Sequence, residues 1–222
     1  MKLIAPLLFF SAISVLGQAP PRSIVQATGT ASVAVTPDQA QITVSAITQS
    51  ANAQDAANQN APIAANIQSQ VAQVLGSSGT VKTIGYSVTP NYNYPQGGSP
   101  ILTGYTVTNT IQVVLNDLSI AGKLLDTATQ SGASRIDGLQ FTLKDDTDAR
   151  SQALRAATVK AKAKADAMAS SASLKTGSFL TIQEAGVAVP VVVTAVGATN
   201  TPIQPGQLSV TANVTVAVEM VQ

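Results

Sequence analysis

The side chains available for chemistry are carboxylates, amines, hydroxyls and phenols, because the 222 residues contain no histidine and no cysteine. Without histidine the usual general base and the commonest metal ligand are missing. Without cysteine there is no thiolate nucleophile, no disulfide and no lipoprotein anchor. Carboxylate pairs of the kind used in glycoside hydrolysis remain open in principle, with Asp38 beside Asp117, Asp126 or Glu184. Nothing in their spacing brings them within reach of one another, and Pro37-Asp38 reads as a turn former. Asp145, Asp146 and Asp148 are the densest acidic group. They lack the ligand number and glycine turn of a calcium loop and read as helix N-terminal capping. Lys160, Lys162 and Lys164 follow on the same expected helix, where steps of about 100° per residue turn Lys162 away from the other two; all three read as solvated. The serines have no histidine partner and no Gly-x-Ser-x-Gly elbow, which leaves only a Ser–Lys arrangement. No catalytic, cofactor-binding or metal-ligating set is assigned, and the chain is expected not to be an enzyme.

Residues suited to contacts are better defined. Tyr92 and Tyr94 stand in the Pro- and Gly-rich stretch 89–100, which reads as a loop. Exposed tyrosines are preferred interface residues. The run Val187, Val189, Val191 and Val193, interrupted by Pro190, has the character of an edge segment that its own domain or another subunit must cover. Asn109 lies on the otherwise apolar face of Tyr105, Val107 and Ile111 and is expected to pin a neighbouring element.

The elements that position these residues follow from hydrophobic periodicity. Val25, Ala27, Gly29, Ala31, Val33 and Val35 alternate, as do Ile42, Val44 and Ala46 after Pro37-Asp38, which predicts a hairpin. A helix is predicted over about 51–75, ended by Gly76, and either kinked at Pro62 or starting near Asn60. A second hairpin pairs the strand of Ile84, Tyr86 and Val88 with that of Tyr105 to Leu115. A helix over about 117–131 comes next, followed by a strand at Leu139, Phe141 and Leu143. The longest helix, about 145–173, presents Leu154, Ala157, Ala161, Ala165, Met168 and Ala172. Strands at 179–184 and 208–220 close the chain. The order ββαββαβαββ predicts an α+β fold with largely antiparallel sheet and one long Ala-rich helix packed on it.

Residues 1–17 read as an export signal: Lys2, an apolar stretch from Leu3 to Leu16, and a small-residue cleavage pattern before Gln18. The stretch is too short for a good membrane span. Residues 18–222 are then one domain, with Lys2 lost and the charges balanced at eleven of each sign. Such a chain has no electrostatic footprint for nucleic acid. Charged residues are only 10% of the sequence, and a surface so poor in charge suits a homo-oligomer or an envelope protein partner. An outer-membrane barrel is disfavoured by 4% aromatics, no tryptophan and three helices between strands.

Taken in order, these motifs resemble the SIMPL domain family of exported bacterial proteins, described as oxidative-stress defence proteins and periplasmic immunogens. The matching residues are Gly29; Val33-Ala34-Val35-Thr36-Pro37-Asp38-Gln39-Ala40; Gly104-Tyr105-Thr106-Val107-Thr108-Asn109; Asp117-Leu118, Asp126, Gly132-Ala133 and Phe141; the Ala/Lys helix; Ile182-Gln183-Glu184; and the last valine strand. The resemblance implies a periplasmic or cell-envelope protein, ring-like assembly in some relatives, and no known catalytic residues. Direct redox scavenging does not fit a chain without cysteine whose methionines are Met1, Met168 and Met220. Three uses stay open at this point: a self-associating scaffold or partner-binding module, a monomeric periplasmic binding domain for a small ligand or cell-wall component, and a carboxylate-only hydrolase. No cofactor is implied by any of them.

Overall fold

The computed structural model describes residues 22–188, 192–194 and 205–222. The expected signal, 1–17, lies outside the described residues. The elements are β1 (Ile24–Val35), β2 (Gln39–Ser50), α1 (Ala53–Leu75), β3 (Gly79–Asn93), β4 (Ile101–Leu115), α2 (Ala121–Gln130, preceded by a 3₁₀ turn), β5 (Arg135–Thr142), α3 (Thr147–Ser171), β6 (Lys175–Ala188), β7 (Val192–Thr194) and β8 (Leu208–Val221). This is the expected α+β order with one short strand, β7, added within 186–206.

All pairings among the described strands are antiparallel, in a three-stranded sheet β1-β8-β6 and a five-stranded sheet β3-β4-β2-β5-β7. The expected hairpin of β1 and β2 does not form. β1 pairs with β8 from Ile24↔Glu219 to Val35↔Leu208, while β2 lies between β4 and β5 in the other sheet. Pro37 is buried, and Asp38 Oδ1 accepts from the Lys144 amide at 2.7 Å. The turn therefore carries the chain from one sheet to the other instead of folding it back.

Each sheet has its own helical cover. Ile67, Val71 and Leu75 of α1 and Leu124 and Leu125 of α2 pack on Ile42, Val44, Ile111, Val113, Leu139 and Phe141 of the larger sheet. Helix α1 starts at Ala53, with Asn52 accepting from the Gln54 amide at 2.7 Å, and runs on through Pro62 to the Gly76 cap. On the smaller sheet, α3 covers Val25, Ala27 and Ala31 of β1 and Val210, Ala212, Val214, Val216 and Val218 of β8. Burying each of those valines contributes about 1.5–3 kcal/mol.

The buried stripe of α3 is Ala149, Ala153, Ala157, Ala161, Ala165 and Ala169. This corrects the expected set: Leu154 is half-buried, Ala172 is exposed and Met168 is 53% exposed. A strict four-residue repeat drifts round the helix and forms an inclined ridge, which suits a helix crossing twisted strands at an angle. Because every residue of the ridge is alanine, the helix backbone sits directly on Gly29 of β1.

Candidate functional site

Of the carboxylates that the sequence offers as acid–base partners, Asp38 and Asp117 have structural tasks, and the four lie on different elements. Asp38 holds the Lys144 amide. Asp117 accepts from the Ser119 amide at 3.0 Å and its hydroxyl at 2.6 Å, while Asp126 lies on α2 and Glu184 on β6 opposite Val214. In the acidic group before α3, Asp145 Oδ1 accepts from the Thr147 amide at 2.9 Å, and Asp146 pairs with Arg150 at 2.7 Å. Hydrogen bonds from Thr147 hold the Asp145 carboxyl below its ordinary value. Asp146, at the N-cap position, makes no side-chain cap bond, so the capping falls to Asp145. Among the described residues, no group of three or more carboxylates could hold a metal ion.

Two of the lysines expected to be solvated also reach partners on opposite flanks of α3, Lys164 while staying exposed and Lys162 half-buried. Lys164 Nζ donates to the Thr28 carbonyl of β1 at 2.8 Å. Lys162 Nζ donates to Asp166 at 2.6 Å and to Thr176 Oγ1 of β6 at 3.0 Å, and the Thr176 hydroxyl also bonds Asp166. The helix thus straddles the three strands and is clamped at both edges. An open groove of about 360 Å³ adjoins the second clamp, lined by Thr158, Val159, Lys162, Ala163, Asp166 and Phe179. The ammonium of Lys162 and the hydroxyl of Thr176 converge on one carboxylate oxygen, Asp166 Oδ1, which ties α3 to β6.

Lys162 first, then Thr176, hold the Asp166 carboxyl below its ordinary value of 3.8. A depressed acid contributes stability that is present above its unfolded value and is lost as pH falls through the folded one. Thermal unfolding followed from neutral pH down to about pH 3 should show the Asp166→Asn variant losing less stability than the parent chain. Equal losses would place the acid sensitivity elsewhere.

Among the described residues, the β3–β4 hairpin carries seven of the exposed large hydrophobic side chains: Ile84, Tyr86, Val88, Tyr92, Tyr94, Ile101 and Leu102. From Thr83 to Asn116 the chain carries no Asp, Glu, Lys or Arg. β3 is the free edge of the larger sheet as described, and Ile84, Tyr86 and Val88 on it are exposed, Tyr86 to 57%. Tyr86 lies opposite Asn109, and Val88 opposite the buried Val107, so both flank the face that α1 covers. Two bulges, at Thr83/Gly85 and Asn91/Tyr92, interrupt the edge.

β2 ends at Ser50, opposite Tyr105, so the hairpin beyond Gly104 and Asn91 extends past its sheet. Gly104 has φ 152°, and a Cβ there would lie 2.7 Å from the Ser50 carbonyl oxygen. Asn91 and Thr106 bond side chain to side chain at 2.9 Å, and Thr103 Oγ1 donates to the Asn91 carbonyl at 3.0 Å, which fixes the base of the projection. Tyr92 belongs to β3, opposite Leu102, and is not in the loop where its sequence context placed it. Tyr94 is in the turn and 73% exposed, its ring centroid 6.4 Å from that of Tyr92. Ile101 and Leu102 are also exposed.

The valine run divides between the sheets: Val187 lies at the end of β6 opposite Ala212, and Val193 in β7 opposite Gln140. Val189 and Val191 lie outside the described residues. Asn109 is half-buried, and its buried Oδ1 has no partner among the described residues. Beside it lies a residue that its sequence context marks only as a possible helix start. Asn60 of α1 is fully buried, and its Nδ2 donates to the Ala46 and Val107 carbonyls at 2.9 and 3.4 Å. Its place in the series Ala56, Asn60, Ala64, Ile67, Val71, Leu75 was the available signal.

The sequence model of the SIMPL family, described as a protein of unknown function (DUF541), matches residues 25–218. Two curated relatives, both named 26 kDa periplasmic immunogenic protein, come from Brucella melitensis and Brucella abortus. Each is 24% identical over 164 residues, which is 72% of this chain and 66% of the relative. The chain thus spans just under two thirds of the length of those relatives.

Proposed function

The chain belongs to the SIMPL family, and on that premise we propose that it is an exported, non-catalytic envelope protein that acts through surface contacts, first of all with copies of itself. The name of the Brucella relatives supports a periplasmic location. The observation that carries the reading is the uncharged β3–β4 hairpin, along whose edge Ile84, Tyr86 and Val88 are exposed with no element of the described chain over them. An exposed apolar edge of this length invites association. The motifs that carry the family resemblance support the same reading, because Gly29, Asp38, Gly104 and Asp117 all have tasks in building the fold. A part in stress defence, which the resemblance implies, would be exercised through such contacts, since Met168 and Met220 are the only sulfur groups past the expected leader.

The absolute mass of the exported chain, by light scattering on a sizing column, tests this reading. The expected result is a multiple of the monomer that persists on dilution and falls towards the monomer in a Tyr86→Glu/Val88→Glu variant. A monomer at every concentration would overturn self-association.

A further inference from the structure

We propose that the tip of the hairpin, from Asn91 to Leu102, docks the protein on the surface of a lipid bilayer with zwitterionic headgroups. This rests on reading the hairpin as a contact surface and names what its tip meets. Directly opposed residues of paired strands share a face. Tyr92 and Leu102 therefore lie together on one face, Asn93 and Ile101 on the other, and Tyr94 stands at the turn between them. All four apolar side chains are exposed, and β2 has already ended, so both faces of the tip are uncovered. A protein seated on one face would leave the other in water, whereas immersion in an interface surrounds both with the same medium.

The chemistry of the tip fits the boundary zone of a bilayer and not its hydrocarbon centre. Tyrosine rings are enriched at the headgroup level, where an apolar ring and a hydroxyl are both accommodated. Backbone amides without partners are not tolerated deeper. Here Pro95 and Pro100 carry no amide hydrogen, and the Gly98 amide donates to the Pro95 carbonyl at 3.1 Å. These features suit a depth of about 5–10 Å. The absence of any charge from Thr83 to Asn116 separates this contact from basic segments that seek anionic lipid. Attachment should therefore depend on apolar immersion and be indifferent to salt.

The chain has no tryptophan, so Tyr94→Trp places a single reporter at the most exposed point of the tip. With the exported chain and phosphatidylcholine vesicles, its emission should shift to the blue and be quenched by lipids brominated near the glycerol end of the acyl chains. Co-sedimentation should be unchanged by salt and fall about tenfold or more in a Tyr92→Asp/Leu102→Asp variant. An unchanged melting curve would show that this variant still folds. No shift with vesicles, equal sedimentation of the two proteins, or binding that collapses in salt would each overturn the proposal. A blue shift that grows with protein concentration in the absence of lipid would also overturn it, by showing that a second copy covers the tip. The light-scattering mass separates these outcomes from a failure of self-association itself.

Discussion

Replacing Gly29 by alanine is expected to destabilise the chain by about 3 kcal/mol or more and to lower its melting temperature by about 6–12 °C. A Cβ at this position would lie 2.1 Å from the Ala157 carbonyl oxygen and 2.4 Å from the Ala161 amide nitrogen. Both are backbone atoms of α3, so truncating a neighbouring side chain cannot relieve the contact. Either α3 lifts from β1, opening the alanine ridge along its length, or β1 shifts against β8 and disturbs an unbroken register of twelve pairs. Gly85 supplies the control. A Cβ there would meet only the Thr110 side chain, at 3.6 Å, so Gly85→Ala should stay within about 1 kcal/mol of the parent. Thermal and urea unfolding of the two variants check this, and a Gly29→Ala melting point within about 2 °C of the parent would refute the close approach of helix and strand.

Gly29 also shows what kind of information the sequence carries openly. Alternation and helical spacing locate ten of the eleven elements, because each pattern depends on one side chain facing a core and the next facing away. Partner choice is a different matter. β1 and β2 have the alternation and the Pro-Asp turn of a hairpin, yet they belong to separate sheets. The determining contacts, β1 with β8 and Asp38 with the Lys144 amide, join residues more than a hundred positions apart. The stripe of α3 matches its sequence pattern at Ala157, Ala161 and Ala165 and departs from it towards both ends, for a related reason. Leu154 and Met168 look more apolar than Ala153 and Ala169, but only alanine fits a ridge that presses on a glycine strand.

The contact surface was legible in composition and less so in conformation. The tyrosines stand out because so little else in the chain is aromatic, whereas Thr89-Pro90 suggests that the strand has ended. β3 nevertheless continues to Asn93, since proline is tolerated on an edge strand where its missing N–H faces no partner. That continuation turns a presumed loop into a projecting ribbon with defined faces. The α3 sequence places Lys162 and Lys164 towards solvent; beyond Asp166 on the same helix, only the placement of β1 and β6 on either flank supplies their partners Thr28 and Thr176.

Asn60→Asp should have the second large effect, about 3 kcal/mol or more at neutral pH, although it alters a single group without changing its size. Asn60 is fully buried, and its amide donates to two carbonyl oxygens, of Ala46 in β2 and Val107 in β4. A carboxylate in its place has no proton to donate and brings its charge against both of those oxygens. Its own remaining oxygen would occupy the site of Asn60 Oδ1, which already has no partner. Burial without a donor raises the folded-state value of such an acid above that of the unfolded chain. The penalty is therefore absent below the unfolded value and grows as pH rises through about 4 and beyond, while the protonated acid can still donate one bond to Ala46. The variant should consequently approach the parent in acid, the reverse of the Asp166 clamp, which weakens there. Urea unfolding at neutral pH and near pH 4 distinguishes the two signs, and a deficit that is constant across that range would mean that α1 shifts to let water reach residue 60.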